Sequence, residues 1–366
     1  MAGSSWGKLL TMTTWGESHG KGIGVVIDGC PAGLPLTESD IQPYLNRRKP
    51  GQSRFTTPRK EDDKVEILSG VFEGMTTGTP ISLIVKNTSQ RSKDYSEIAS
   101  YYRPGHADYT YDQKYGFRDY TGGGRSSGRE TIARVAAGAI AAKLLKELNI
   151  TITAYTKSIG PVTIEYDRFD LSSMEQNAVN MPDPVAAKLA EAHLDACRAQ
   201  KDSCGGMIEC RIKGLPVGIG EPCFDKLSAN LAKSICSIGA VKGFEIGDGF
   251  SSAKAYGSTN NDAFYIEDGT IHKKTNHSGG ILGGLSDGSD LVFRAAFKPT
   301  PSIASLQETV NKSGEPITIS IHGRHDPIIV PRAVVVVECM AALTTLDMLL
   351  QSMTSRLDHI KTFFHQ

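Results

Sequence analysis

From Arg129 to Leu148 the apolar residues Ile132, Val135, Ala136, Ala139, Ile140, Leu144 and Leu148 recur three and four positions apart, the spacing of one face of a helix. Asp183-Pro184, a side-chain acceptor followed by proline at the first helical position, predicts a second helix with Val185, Leu189, Ala192 and Ala196 facing inward. Pro331 opens a third segment, apolar from Ala333 to Leu350 but too polar to span a membrane on this reading. Short β-like runs lie at Gly22–Ile27, Ile81–Lys86, Met207–Ile212, Leu291–Phe297 and Ile317–Ile321, separated by turn residues. No linker rich in Pro, Ser or charge interrupts these elements, and no repeat is visible. The pattern predicts one α+β domain over residues 1–366.

Charge adds one constraint. The chain has 40 Lys and Arg against 40 Asp and Glu, so no global field draws it to nucleic acid or to an anionic membrane, and any basic site is local. The start "MAGSSWGKLL" lacks a secretory pattern and no run of about 18 apolar residues is evident, which predicts a cytoplasmic protein. The seven cysteines, Cys30, Cys197, Cys204, Cys210, Cys223, Cys236 and Cys339, form no C-x-x-C pair. They read as reduced thiols, with neither a disulfide framework nor a zinc site expected.

The chemistry gathers in glycine-rich loops. In "TGGGRSSGRET" (121–131), Gly123 and Gly128 have P-loop spacing before a helix, but Arg129 and Glu130 stand where a nucleotide loop needs Lys and Ser or Thr. The missing pair argues against an NTPase, and a Rossmann loop is weaker still, because "GKGIGVVIDG" contains no G-x-G-x-x-G. Two readings stay open here: an anion cradle made by Arg125, Ser126, Ser127 and Arg129, or a turn with a serine helix cap. His19 in "WGESHG" and His106 in "RPGHAD" sit in turns, as general acids or as solvated loop histidines. Arg47, Arg48, Lys49, Arg54, Arg59 and Lys60 cluster in "NRRKPGQSRFTTPRK", either a solvated loop or a site for a small molecule with several anionic groups. "HSGGILGG", "KPTPSI" and "GRHDP" complete the set; each alone could be ordinary loop chemistry.

In this order, and together with "VKGFEIGDGF", these motifs closely resemble the chorismate synthase family from about Trp6 to Leu350. The resemblance implies a β-α-β sandwich, antiparallel sheets enclosing helices with an internal pseudo-two-fold, usually assembled as a homotetramer. It implies a lyase that forms chorismate from 5-enolpyruvylshikimate 3-phosphate by 1,4-anti elimination of phosphate. Reduced FMN would be required without net redox change, with NADPH a candidate source of reduction. Carried over by motif, His19 would be the acid at the substrate phosphate, His106 would lie by the flavin, and Asp326 would assist ring-proton removal through the flavin N5. Ser18, Arg48, Arg54, Arg103, Ser127 and Arg129 would bind substrate, Arg48 and Arg54 being sometimes assigned to NADP. Arg125, Ser126, Ser127, Gly239, Ala240, Gly283, Lys298, Pro299, Thr300, Pro301, Ser302 and Arg324 would contact flavin, and no metal is implied. The family more often has alanine at the position of Gly128. An FMN-dependent flavin reductase or oxidoreductase is the alternative enzyme reading, and an anion- or RNA-binding protein the alternative binding-module reading.

Overall fold

Alternation of buried with half-buried or exposed residues along Ile81–Lys86 and Leu291–Phe297 marks each as an inner strand of a sheet covered on one face. The structure is a computed structural model and describes residues 3–56, 61–88, 97–321 and 326–365. Its first half runs β1 (Ser5–Trp6), β2 (Thr11–Gly16), β3 (Gly22–Asp28), α1 (Glu38–Arg48), β4 (Val65–Ser69), the hairpin β5–β6 (Val71–Phe72, Met75–Thr76), β7 (Ile81–Lys86), α2 (Asp108–Tyr115) and α3 (Thr131–Glu147). The second runs β8 (Thr151–Ile159), β9 (Val162–Thr163), α4 (Pro184–Ala199), β10 (Gly206–Lys213), α5 (Leu227–Cys236), β11 (Val241–Ile246) and α6 (Gly257–Asn260). It continues through the hairpins β12–β13 (Phe264–Glu267, Thr270–Lys273) and β14–β15 (Ile281–Leu282, Leu285–Ser286), β16 (Leu291–Phe297), the hairpin β17–β18 (Gln307–Val310, Pro316–Ile319), α7 (Val330–Ser352) and α8 (Leu357–Phe364).

Two antiparallel sheets result, ordered β1-β2-β3-β7-β4 and β11-β16-β10-β8-β9. Helices α1 and α3 pack on the first, α5 and α7 on the second, and α3 packs against α7 between them. That helix contact is close because Gly138 has no side chain: a Cβ there would stand 2.2 Å from Cys339 Cβ. Buried side chains of both sheets and the helices between them join one hydrophobic cluster. The α+β sandwich is thus as expected.

Three local expectations are corrected. Helix α7 is apolar and long enough to cross a membrane, with mean hydropathy 2.0, yet 89% of that window is buried in the protein. A helix enclosed on all sides by protein needs the same composition as one enclosed by lipid. On α4 the inward residues are Ala186, Ala187, Ala190 and Leu194, whereas Val185 and Leu189 are exposed and Ala192 and Ala196 face outward as well. The small alanine face lets the helix approach the sheet closely. On α3 burial extends around most of the helix, and Leu145 rather than Leu144 or Leu148 ends the buried row.

The fourth correction concerns the repeat. Orders β2-β3-β7-β4 and β8-β10-β16-β11 match, with α1 and α5 and the hairpins β5–β6 and β14–β15 in equivalent places. The sequence echoes this: "GVFEGMTTGTPI" begins at Gly70 and "GILGGLSDGSDL" at Gly280. The hydroxyls in these stretches repeat their bonds. Thr76 Oγ1 accepts from Leu34 N and donates to Pro31 O, while Ser286 Oγ accepts from Ile219 N and donates to Pro216 O. Hydrogen-bond roles and turn glycines are kept and apolar identities are not, so the repeat shows no obvious period.

Candidate active site

The site is built on two buried arginines that share one carboxylate. Arg48, the last residue of α1, places Nη1 2.9 Å from Asp63 Oδ2, and Arg129, just before α3, places Nη1 3.0 Å from Asp63 Oδ1. Arg129 also pairs with Glu61 and donates from Nε to Asn87 Oδ1 at 2.7 Å. Arg48 donates further to Thr131 Oγ1 and to Gly128 O. A third guanidinium, Arg332 in the first turn of α7, donates to Arg48 O at 3.0 Å and pairs with Asp326. Burial, then the nearby charge of Arg332, pushes Arg48 down to about 10, so it remains cationic at neutral pH. Desolvated guanidiniums cost several kcal/mol each unless paired, and Asp63, Glu61 and Asp326 supply the pairing.

The same network shapes the turn that carries His19. Asn87, which accepts from Arg129, donates to Glu17 O at 2.9 Å and to Gly20 O at 2.8 Å. Buried Ser18 is 3.2 Å from His19 Nδ1 and donates to Gly122 O at 3.2 Å, so the glycine-rich loop lies over the histidine. Within that loop Ser126 donates to Gly123 O, and Ser127 accepts the N–H of Arg129 as the cap of a short turn running into α3. Arg125 reaches back to Thr14 Oγ1 and Gly16 O at the end of β2. Both serines therefore bond within the turn, and the guanidiniums are the groups here that could hold an anion.

A second cluster forms where His106 meets the "KPTPSI" loop. His106 Nε2 lies 2.7 Å from Ser302 Oγ, and Lys298 Nζ donates to Gly105 O. The Lys298 N–H donates to Ala240 O at 3.0 Å, and the turn before Ala240 is held by α3, where Arg134 donates to Ser237 Oγ at 2.6 Å. Burial, helped by the charge of Lys242, lowers the Lys298 pKa below the ordinary lysine value. Among the described residues, buried Thr300 Oγ1 has no hydrogen-bond partner. The start of β10 touches both the first turn of α7 and the loop of the second cluster: a Cβ on Gly206 would meet Val330, and one on Gly205 would meet Pro299.

Not every expected residue joins these clusters. Arg103 is buried in a bidentate pair with Asp108. Arg54 lies over the Phe55 ring and pairs with Glu191 and Asp195 of α4, beside an open hollow of about 450 Å³ that Glu175 also lines. Gly283 sits at the tip of β14–β15 with open space at its Cβ position. Arg324, Arg59 and Lys60 lie outside the described residues. In return the structure adds Glu61, Asp63, Asn87 and Arg332. The acidic run after the basic loop was the one available signal, since buried cations need anions nearby.

Comparison with known proteins agrees in extent and fold. Residues 10–350 match the family described as Chorismate synthase. The chain is 67% identical over 366 residues to the chorismate synthase of Lachnospira eligens, covering all of both chains. It is 68% identical over 364 residues to that of Agathobacter rectalis, covering 100% of this chain and 99% of the relative. A crystal structure of a chorismate synthase, 30% identical, superposes with a TM-score of 0.77 and covers 98% of this chain and 97% of the other.

Proposed function

The chain belongs to the chorismate synthase family, and from that premise we propose how its own residues carry the reaction. It is a carbon–oxygen lyase: 5-enolpyruvylshikimate 3-phosphate loses phosphate and a ring proton in a 1,4-anti elimination, giving chorismate. The observation that carries the assignment of residues is the buried Arg48–Asp63–Arg129 bridge beside His19. Because Asp63 holds both guanidiniums in place beforehand, an anionic substrate meets donors that need little reorganisation. His19, held from behind by Ser18 and Gly122, gives a proton to the departing phosphate and so lowers the charge it carries away. Asp326, braced by Arg332, is the carboxylate that assists loss of the ring proton.

Reduced FMN fits the second cluster. The unpartnered Thr300 hydroxyl is a free polar group in the loop, and Lys298 beside Lys242 is a pair of cations whose repulsion an anionic phosphate would relieve. Gly239, Ala240 and the backbone of Lys298 to Ser302 would hold the group. When bound, a reduced flavin supplies electron density that eases loss of an unactivated allylic phosphate and recovers it, with no net redox change. His106, oriented by Ser302 Oγ, holds a proton beside it. Exposed Phe264, Ile266 and Ile271 on β12–β13 support self-association, proposed as a homotetramer and testable by light scattering.

The test is anaerobic turnover with dithionite-reduced FMN, which should yield chorismate and phosphate in equal amounts. No chorismate under those conditions would overturn this reading. NADPH and oxidised FMN in air should give no turnover if reduction comes from outside the chain; turnover would assign the reduction to this chain.

A further inference from the structure

Helix α4 ends against a loop that folds back over its last turn. His193 and Cys197 stand four residues apart on one side of α4. Past the helix end Lys201 takes a left-handed φ of 58°, and Asp202 N donates to Cys197 O at 3.0 Å. Gly205 O accepts from Gly160 N at 2.9 Å, which fixes the returning strand of the loop. Cys204 is thereby brought to the helix: His193 Nε2 and Cys197 Sγ are 3.6 Å apart, and a ring nitrogen of His193 and the sulfurs of Cys197 and Cys204 all lie within 4.8 Å of one another. Gly160 makes room for the ring, because a Cβ there would be 2.4 Å from His193 Nε2.

We propose that His193, Cys197 and Cys204 form a binding site for a borderline-soft divalent cation, best matched by Zn²⁺, with water in the fourth position. With Zn–S of about 2.3 Å and Zn–N of about 2.0–2.1 Å, tetrahedral coordination sets a sulfur and a nitrogen about 3.6 Å apart and two sulfurs about 3.8 Å apart. The His193–Cys197 separation already equals the first of these, and closing the rest of the triad needs a contraction of at most about 1.2 Å. Two thiolates and an imidazole, with no carboxylate in the set, select against Mg²⁺ and Ca²⁺. The imidazole 3.6 Å from the Cys197 sulfur distinguishes this arrangement from a simple dithiol. No such signal is visible in the sequence, because H-x-x-x-C followed by C seven residues on is completed by the turn and not by a linear motif.

The site lies apart from the lyase chemistry but adjoins one of its loops. Ser203 donates from Oγ to Thr300 O at 2.6 Å, and Ser305 N donates to Lys201 O. A bound cation would therefore pin the turn on which the Thr300 loop rests.

Titration of the metal-free full-length chain with Co²⁺ tests this directly. One Co²⁺ per chain should bind with a thiolate-to-cobalt charge-transfer band, and Zn²⁺ should displace it. His193→Gln, Cys197→Ser and Cys204→Ser should each weaken Zn²⁺ binding by more than about 100-fold, beyond what loss of an outer-shell partner does. Cys236→Ser, whose thiol is exposed elsewhere, should bind as the unaltered chain does. Absence of the charge-transfer band in the unaltered, folded and reduced chain would overturn the proposal. So would undiminished binding in His193→Gln.

Discussion

Gly122 stands against the imidazole of His19: a methyl group added there would lie 2.3 Å from Nδ1 and 2.7 Å from Ser18 Oγ. The glycine-rich loop is thus the wall that orients a histidine. Gly122 also has φ 74°, so Gly122→Ala adds backbone strain of about 1 kcal/mol to the clash. Turnover should fall by about 10²-fold, as for His19→Ala, while the chain stays folded by circular dichroism. Normal turnover in Gly122→Ala would detach His19 orientation from the rate.

Asp63→Asn removes the carboxylate shared by Arg48 and Arg129. Breaking such a buried pair should cost about 3–5 kcal/mol of stability in urea unfolding. Inorganic phosphate should restore part of that loss, and should raise the melting temperature of the variant more than that of the unaltered chain. KM for the substrate should rise by a larger factor than kcat falls.

His106 and Ser302 share a 2.7 Å hydrogen bond, so their effects should not add. His106→Ala should lower turnover by about 10²-fold or more. In a double-mutant cycle with Ser302→Ala the coupling should lie between about 0.5 and 3 kcal/mol. Strict additivity would mean that the hydroxyl does not position the ring.

Asp183 caps α4 by accepting from Val185 N and Ala186 N and pairs with Arg168. Burial raises its pKa, but the Arg168 bond and the backbone N–H groups of Glu165, Ala186 and Val185 outweigh burial and hold it at about 2, below the ordinary 3.8. A depressed carboxyl contributes stability that is complete above its unfolded pKa and is lost as pH falls through the folded one. The window is therefore about pH 4 down to about 2. Asp183→Asn keeps a good cap without the charge, so its stability deficit should be largest near pH 5 and shrink as pH falls towards about 3 in urea titrations.

Much of this was legible beforehand, for identifiable reasons. β7 and β16 begin and end where their alternation does, because a period of two over six or seven residues has one solution on a one-sided sheet. The Asp183-Pro184 cap was equally readable, since it uses neighbours in sequence. The inward face of α4 was not, because its alanines and its larger apolar residues offered two competing stripes, and the sheet took the smaller one. Glu61, Asp63 and Asn87 escaped notice because a search for an anion site looks for cations, whereas those cations are held by groups of the opposite sign.

By itself the sequence determined the local pieces: strand periods, helix caps, and the loops in which His19, His106 and the arginines stand. It also determined the family through the order of those loops. Only the tertiary structure decided which loops meet. Arg48 and Arg129 converge on Asp63, Gly122 closes on His19, and Cys204 returns to His193, each through long-range packing that no local pattern encodes. The physical reason is that burying a charge or a ring demands a particular partner, and the partner is supplied by whichever segment the closed sandwich brings alongside.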